Sequence, residues 1–197
     1  MSTAPKRTPA RTKPAARSKP GKPAKPAKAG KRTKATASAA SSCWLVKTDA
    51  ESYSIADLER DGVTPWTGVR NYQARNTLRD HMQPGDRVLV YHSSSDPLAV
   101  VGVAQVASFP RPDETAFQKG DDHYDPDSDP SNPTWWVVDL RHLQTFARPV
   151  TRERLAREPR LKGMVLLQRG SRLSVQPVTP EEFAAVLQLA GGRGLGT

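Results

Sequence analysis

The sequence predicts an α+β fold: a small, strongly curved β-barrel or mixed sheet with helices flanking it on the outside. Three observations carry this. Apolar, β-branched runs of strand length recur at Cys43–Thr48 (CWLVKT), Arg87–His92 (RVLVYH), Ala99–Ser108 (AVVGVAQVAS), Trp135–Phe146 (WWVVDLRHLQTF) and Arg172–Gln176 (RLSVQ). The helical segments between them are short and irregularly placed, so they do not alternate as strict βα units; a mixed or antiparallel curved sheet fits better than a parallel one. The composition also changes abruptly at position 42, which leaves residues 43–192 as one domain of ordinary size, followed by a short C-terminal tail over 193–197.

Of the 197 residues, the first 42 hold 12 Lys or Arg, 6 prolines and no acid, leaving 18 basic against 20 acidic residues for the rest. The net charge of +10 is therefore a tail of +12 on a domain of −2. Such a tail cannot bury enough apolar surface to offset its ordering entropy, and it reads as disordered. Lysines alternating with Pro and Ala (Lys19, Lys22, Lys25, Lys28, Lys31, with Arg32) keep the chain extended and suit non-specific binding to nucleic acid. A solubilising linker is the plain alternative. The tail lacks the apolar core of a secretory signal, its prolines oppose an amphipathic transit helix, and no apolar run approaches a membrane span. The lone cysteine, Cys43, excludes an internal disulfide. A soluble monomer is expected, in the cytoplasm or nucleoid of a bacterium or the nucleus of a eukaryote.

Taken in order, the first strand at Cys43–Thr48 is followed by a helix starting at Ser54, with Ile55, Leu58 and Val63 on its buried side and Asp57 in its first turn. Pro65 ends that passage. Asn71 is the expected N-cap of a helix over Tyr72–Met82. Pro84-Gly85-Asp86 turns into the second strand, and Ser93–Pro97 turns into the third, where Gly102 marks a bulge or close backbone approach. Pro110–Pro133 reads as one long polar loop. After the fourth strand, Thr151 caps a short helix to Arg157. Met164–Leu167 is apolar and ambiguous. Thr179-Pro180-Glu181-Glu182 is a strong helix start, with Phe183, Val186, Leu187 and Leu189 inward and a stop at Gly191-Gly192.

One stretch does not read as core. Trp66–Arg79 (WTGVRNYQARNTLR) mixes two large aromatics with three arginines and two asparagines, as a pocket for a planar polar ligand requires. Gly68 permits a sharp turn behind Trp66, and the loop N–H groups would then face whatever Trp66 stacks on. Aromatics in loops flanked by amides are how proteins receive unpaired bases, with a ring for the face and amides for the edge.

Catalytic signals are weak by comparison. His92-Ser93 with Asp96 has triad letters, but adjacent strand residues point to opposite faces. Nucleotide-binding glycine loops and the nucleophile elbow are absent from the sequence. The acidic run Asp121–Asp129 fails the calcium-loop register, with Pro130 where glycine belongs and Trp136 where the bidentate Glu belongs. The four histidines show no ligand spacing, so neither a metal nor a cofactor is expected.

The motifs WLVKTDA (Trp44–Ala50), WTGVRNYQARN (Trp66–Asn76), YHS (Tyr91–Ser93), DPSNPTWWVVDL (Asp129–Leu140), LKGMVLL (Leu161–Leu167) and SRLSVQPV (Ser171–Val178) together resemble the EVE domain of the thymocyte nuclear protein family and its bacterial relatives. The resemblance spans Cys43 to Leu189 and leaves the tail outside. It implies a PUA-like fold, similar to YTH domains that hold a methylated adenine in an aromatic cage. It also implies a reader of modified bases, notably methylated or hydroxymethylated cytosine, with DNA preferred to RNA. Carried over by position, Lys47, Thr48 and Asp49 resemble the polar strand end bordering the YTH pocket, and Trp66 its first cage tryptophan. The second cage tryptophan falls near Leu140 rather than on Trp135. Val69, Arg70, Asn71 and Tyr72, with Tyr91, His92 and Ser93, would line the remaining walls, and Arg172 and Ser174 would reach the pocket or close the core.

The function so implied is non-catalytic: a base flipped out or already single-stranded enters an aromatic pocket while the basic tail supplies sequence-independent affinity. The competing reading is a nucleoid or chromatin protein whose tail binds DNA and whose domain docks a partner.

Overall fold

Alternation along Cys43–Thr48 forms strand β1, and the computed structural model shows why both of its faces are apolar. Trp44 and Val46 enter one buried cluster, whereas Leu45 enters a second on the opposite face of the same sheet. The structure describes residues 41–191, all within one compact unit, Ala39–Thr197. The tail residues Lys19, Lys22, Lys25, Lys28, Lys31 and Arg32, and the tail over 193–197, lie outside the described residues.

Helix α1 (Ile55–Asp61) starts where the sequence places it, with Ser54 and Asp57 forming a reciprocal capping box. Val63, expected inward on that helix, is instead exposed at the start of a short strand, β2 (Val63–Pro65), because Gly62 ends the helix at φ 72°. Helix α2 (Tyr72–Asp80) is capped by the Asn71 side chain, which accepts from Ala74 N–H at 3.0 Å. It stops two residues short of the expected Met82. Strands β3 (Arg87–His92) and β4 (Ala99–Val106) follow. They are almost wholly buried and lack alternation, since both faces are covered.

The long polar loop over 110–133 is less plain than its composition suggests. It holds a short strand, β5 (Arg111–Pro112), and a 3-10 turn at Glu114–Phe117 capped by Asp113. The expected strand at 135–146 divides. Trp136–Val137 (β6) pairs with β5, and Asp139–Thr151 (β7) joins the main sheet. Helix α3 (Arg152–Arg157) is capped by Thr151, and Val165–Leu167 is 3-10. The last strand, β8 (Val175–Val178), begins three residues later than its pattern predicted. Helix α4 (Pro180–Leu189) has the predicted capping box between Thr179 and Glu182.

The main sheet runs β2-β7-β4-β3-β1-β8, with β1 and β3 parallel and every other pair antiparallel. Register shifts on β3 and β4 curl it into half a barrel, since each extra residue increases local twist. This is the α+β architecture that the strand pattern predicts. A single cross-strand row, Thr48–His92–Ala99–Thr151, crosses four strands at one end of the sheet.

Gly102 lies at one of the bulges, and a Cβ there would come within 2.5 Å of the Gln144 carbonyl and 2.9 Å of Ile55 Cδ1. Backbone cannot yield as a side chain can, so Gly102→Ala is expected to destabilise the fold by about 1–3 kcal/mol. Urea unfolding of the variant against wild type measures this; an unchanged midpoint would contradict the close approach.

Candidate functional site

Pro65 closes β2 and delivers Trp66, whose backbone N–H donates to the Val138 carbonyl at 2.9 Å. Trp66 is 8% exposed, and its ring meets Tyr53 edge to face, with centroids 6.3 Å apart. Its inner part belongs to the first core cluster. Beside it opens a cavity of about 310 Å³ lined by Thr48, Ser52, Tyr53, Thr64, Pro65, Trp66, Thr67 and His123. Two aromatic residues, four Ser or Thr residues and an imidazole line this space, with no carboxylate, ammonium or guanidinium among them. Such a lining suits a flat, neutral, polar-edged ligand.

The wall is assembled from the turn after β1 and from two loops. Asp49 accepts Glu51 N–H on its side chain and Tyr53 N–H on its carbonyl, which turns Ser52 and Tyr53 towards the cavity. Thr48 Oγ1 donates to the Tyr53 carbonyl at 2.8 Å. Tyr53 Oη donates to Asp61 at 2.9 Å, holding the ring from outside. Gly68 takes φ 77°, and a side chain there would run into the His123 ring.

His123 itself is held by the loop over 110–135, and that loop is held by Arg70. The Arg70 guanidinium pairs with Asp113 Oδ2 at 2.7 Å and also donates to Thr115 Oγ1 and the His123 carbonyl. Asp113 is fully buried and accepts further from Gly68 N–H and from the Thr115 N–H and hydroxyl. Burial pushes this carboxyl up, but the Thr115 and Arg70 hydrogen bonds and the guanidinium charge outweigh it and hold the group below the usual carboxylate range. It is ionised at neutral pH.

Of the residues expected at the site, the structure brings Thr48 and Trp66 to the cavity, and the others have different surroundings. Lys47 points to the opposite face of β1, where its ammonium donates to the Ser171 carbonyl at 3.2 Å. Val69 is buried in the core behind Trp66. Arg70, expected as a free donor to a ligand, spends its donors on Asp113, Thr115 and the His123 carbonyl. The loop N–H of Gly68 likewise faces Asp113 and not the cavity. Asn71 caps α2. Tyr72 is 62% exposed and stacks at 5.1 Å on Trp135, beside a second cavity that the Arg70 side chain and Asp125 also line. Tyr91 is buried in the second core, across the sheet from Trp66.

His92 faces the first core, where its Nε2 accepts Ile55 N–H at 3.1 Å. Ser93 donates to the Thr48 carbonyl. Arg172 is exposed, and Ser174 accepts Lys47 N–H at the sheet edge. The triad letters of His92 and Ser93 are thus occupied separately, each with backbone.

Sequence reasoning missed Ser52, Tyr53, Thr64, Thr67 and His123. Ser52 and Tyr53 directly follow the strand-end motif and could have been reached through its turn. His123 carried no signal, because it meets Gly68 across more than fifty residues of chain. Among the described residues, no group of three His, Cys, Asp or Glu side chains is placed to hold a metal.

Comparison with known proteins gives consistent results. The profile of the EVE domain matches residues 42–189. Human thymocyte nuclear protein 1 is 39% identical over 168 residues, covering 76% of this chain and 74% of its own length. A crystal structure from Pseudomonas putida superposes with a TM-score of 0.73 at 40% identity, covering 75% of this chain and 99% of that one. The human THYN1 protein, crystallised in complex with 5-methylcytosine-containing DNA, superposes with a TM-score of 0.71 at 38% identity, covering 78% of this chain and 99% of that one.

Two outcomes follow from this geometry. Removing one partner from a buried ion pair strands the other, so Arg70→Ala should cost about 3 kcal/mol, as should Asp113→Ala, while the double variant costs clearly less than their sum. Additive losses in urea unfolding would show that the pair does not act as a unit. Burial, opposed by the Asp49 charge, lowers the His92 pKa. The unfolded chain therefore binds that proton more readily, so this contribution to stability is complete above the unfolded value of about 6.5 and falls as pH drops below it. Wild type should lose stability on acidification through that range, and His92→Gln should flatten that part of the profile.

Proposed function

This chain belongs to the EVE domain family, and we propose that it is a non-catalytic reader of a modified base in DNA, a methylated or hydroxymethylated cytosine held in the cavity beside Trp66. The observation that carries this reading is the character of that cavity. Its volume of about 310 Å³ lies at the small end of ligand pockets and suits one heterocycle. The indole and phenol rings offer apolar walls, while the hydroxyls of Ser52 and Thr67 and the His123 ring can pair with the polar edge of a base. The DNA-bound human relative supports the choice of ligand.

A base stacked inside a duplex cannot reach a ring so far recessed, so the target nucleotide is flipped out or already single-stranded. Stacking contributes about 1–3 kcal/mol per base. The buried methyl adds about 0.8 kcal/mol, roughly a fourfold preference. Stricter discrimination must come from the shape of the cavity and from pairing at the base edge. The basic tail would hold the polymer without reading it, raising the local concentration of bases at the cavity of a monomeric domain. Such a protein acts where genomic DNA is, in a nucleus or a nucleoid.

Because Trp66 is also part of the core, truncating it to Ala would confound binding with stability at a cost of about 3–5 kcal/mol. Trp66→Phe keeps an aromatic in place. It should weaken binding of a 5-methylcytosine oligonucleotide about fivefold and leave the salt-dependent binding of unmodified DNA unchanged. Ser52→Ala with Thr67→Val should reduce the ratio of modified to unmodified affinity. Fluorescence anisotropy with paired oligonucleotides measures both, and a wild type with no preference for the modified strand would defeat the reading.

A further inference from the structure

The domain's near-neutral charge conceals a division along the chain. Residues 43–140 hold 8 Lys or Arg against 16 Asp or Glu, whereas residues 141–172 hold 9 against 2. In the first segment Arg60, Arg70, Arg79 and Arg111 each have a carboxylate partner. In the second, Arg160 pairs with Glu158, while Arg152, Arg169 and Arg172 are exposed and have no ion-pair partner among the described residues.

The fold brings these charges to the end of the sheet at which Thr48 borders the cavity. Thr151 ends the cross-strand row that begins at Thr48, a cavity wall, and Arg152 follows it, anchored by its N–H to the Leu98 carbonyl at 2.8 Å. Lys47, one residue before Thr48, projects to the other face and donates to the Ser171 carbonyl. That carbonyl lies in the loop that carries Arg169 and Arg172. Burial and the charge of Arg152 both lower the Lys47 pKa, as expected where cations crowd together. Like charges assembled without partners disfavour the isolated fold and attract a polyanion. Arginine suits this use because its planar donors engage phosphate two at a time.

We propose that Lys47, Arg152, Arg169 and Arg172 form a track for the phosphodiester backbone of the strand whose base enters the cavity. This rests on the base-reading function above. Alternation along β1 puts the two surfaces on opposite faces of one strand end, with Thr48 facing the base and Lys47 facing the flanking phosphates. Specific and sequence-independent contacts are then one residue apart in the domain itself.

The test uses the full chain and a duplex carrying 5-methylcytosine, with affinity measured across salt concentrations. Arg152→Glu combined with Arg172→Glu should make the log–log salt slope shallower by about 2, since each phosphate contact contributes about 0.9. Binding at moderate salt should weaken at least tenfold, with the ratio of methylated to unmethylated affinity retained. The matched pair Arg60→Glu and Arg79→Glu, on α1 and α2, changes net charge equally and should leave the slope near wild type. An unchanged slope in the first pair, or an equal loss in the second, would overturn the track. A wild type indifferent to methylation would defeat the base reading alone, because the slope is measured separately from that ratio.

Discussion

The buried contact between Arg70 and Asp113 fixes the geometry on which the candidate site depends. Asp113 is fully buried in a loop that has little regular structure of its own, and it is surrounded by donors from Gly68, Arg70 and Thr115. An ionised carboxylate in such a place is stable only while those donors remain. The contact therefore ties two loops distant in sequence into one rigid wall. Arg70 extends the tie to the His123 carbonyl and lies over the Trp135 ring at 5.4 Å, which sets the position of His123 opposite Gly68. The cavity beside Trp66 is in this sense a by-product of satisfied electrostatics. Its own lining has no carboxylate, ammonium or guanidinium, because the ion pair that shapes it is spent behind the wall.

The sheet supplies the other half of the arrangement. Covered on both faces, it needs apolar residues on both, so β3 and β4 show continuous burial. Only at the end of the row from Thr48 to Thr151 do the faces become free to differ. There, alternation sends Thr48 towards the first core and its cavity, and Lys47 towards the basic surface. A one-residue slip in the pairing of β1 with β3 would exchange the two, so register carries function here as well as packing.

Much of the fold was legible in the chain because its signals are local. The helix start at Ser54, the Thr179-Pro180-Glu181-Glu182 start, the Asn71 cap and the bulge or close approach at Gly102 depend on a few adjacent residues, and each appears where expected. The boundaries missed were those decided from a distance. Strand β8 starts late because it pairs with β1, and Trp136–Val137 separates from β7 because Arg111–Pro112 pairs with it. Val63 alternates equally well as helix or strand, and only the positive φ of Gly62 settles the matter.

The same division holds for the site. By itself the sequence determined that Trp66 stands in a glycine-hinged loop among polar neighbours, since composition and turn chemistry are properties of contiguous residues. It also determined the family, through motifs spread over the domain. Tertiary structure alone decided which polar groups face the cavity. Arginine, asparagine and histidine side chains have several donors or acceptors, and a buried carboxylate or an open helix terminus competes for them before any ligand does. Arg70 and Asn71 were claimed in that way, His92 by an amide of α1, and the places left at the cavity went to Tyr53 and His123.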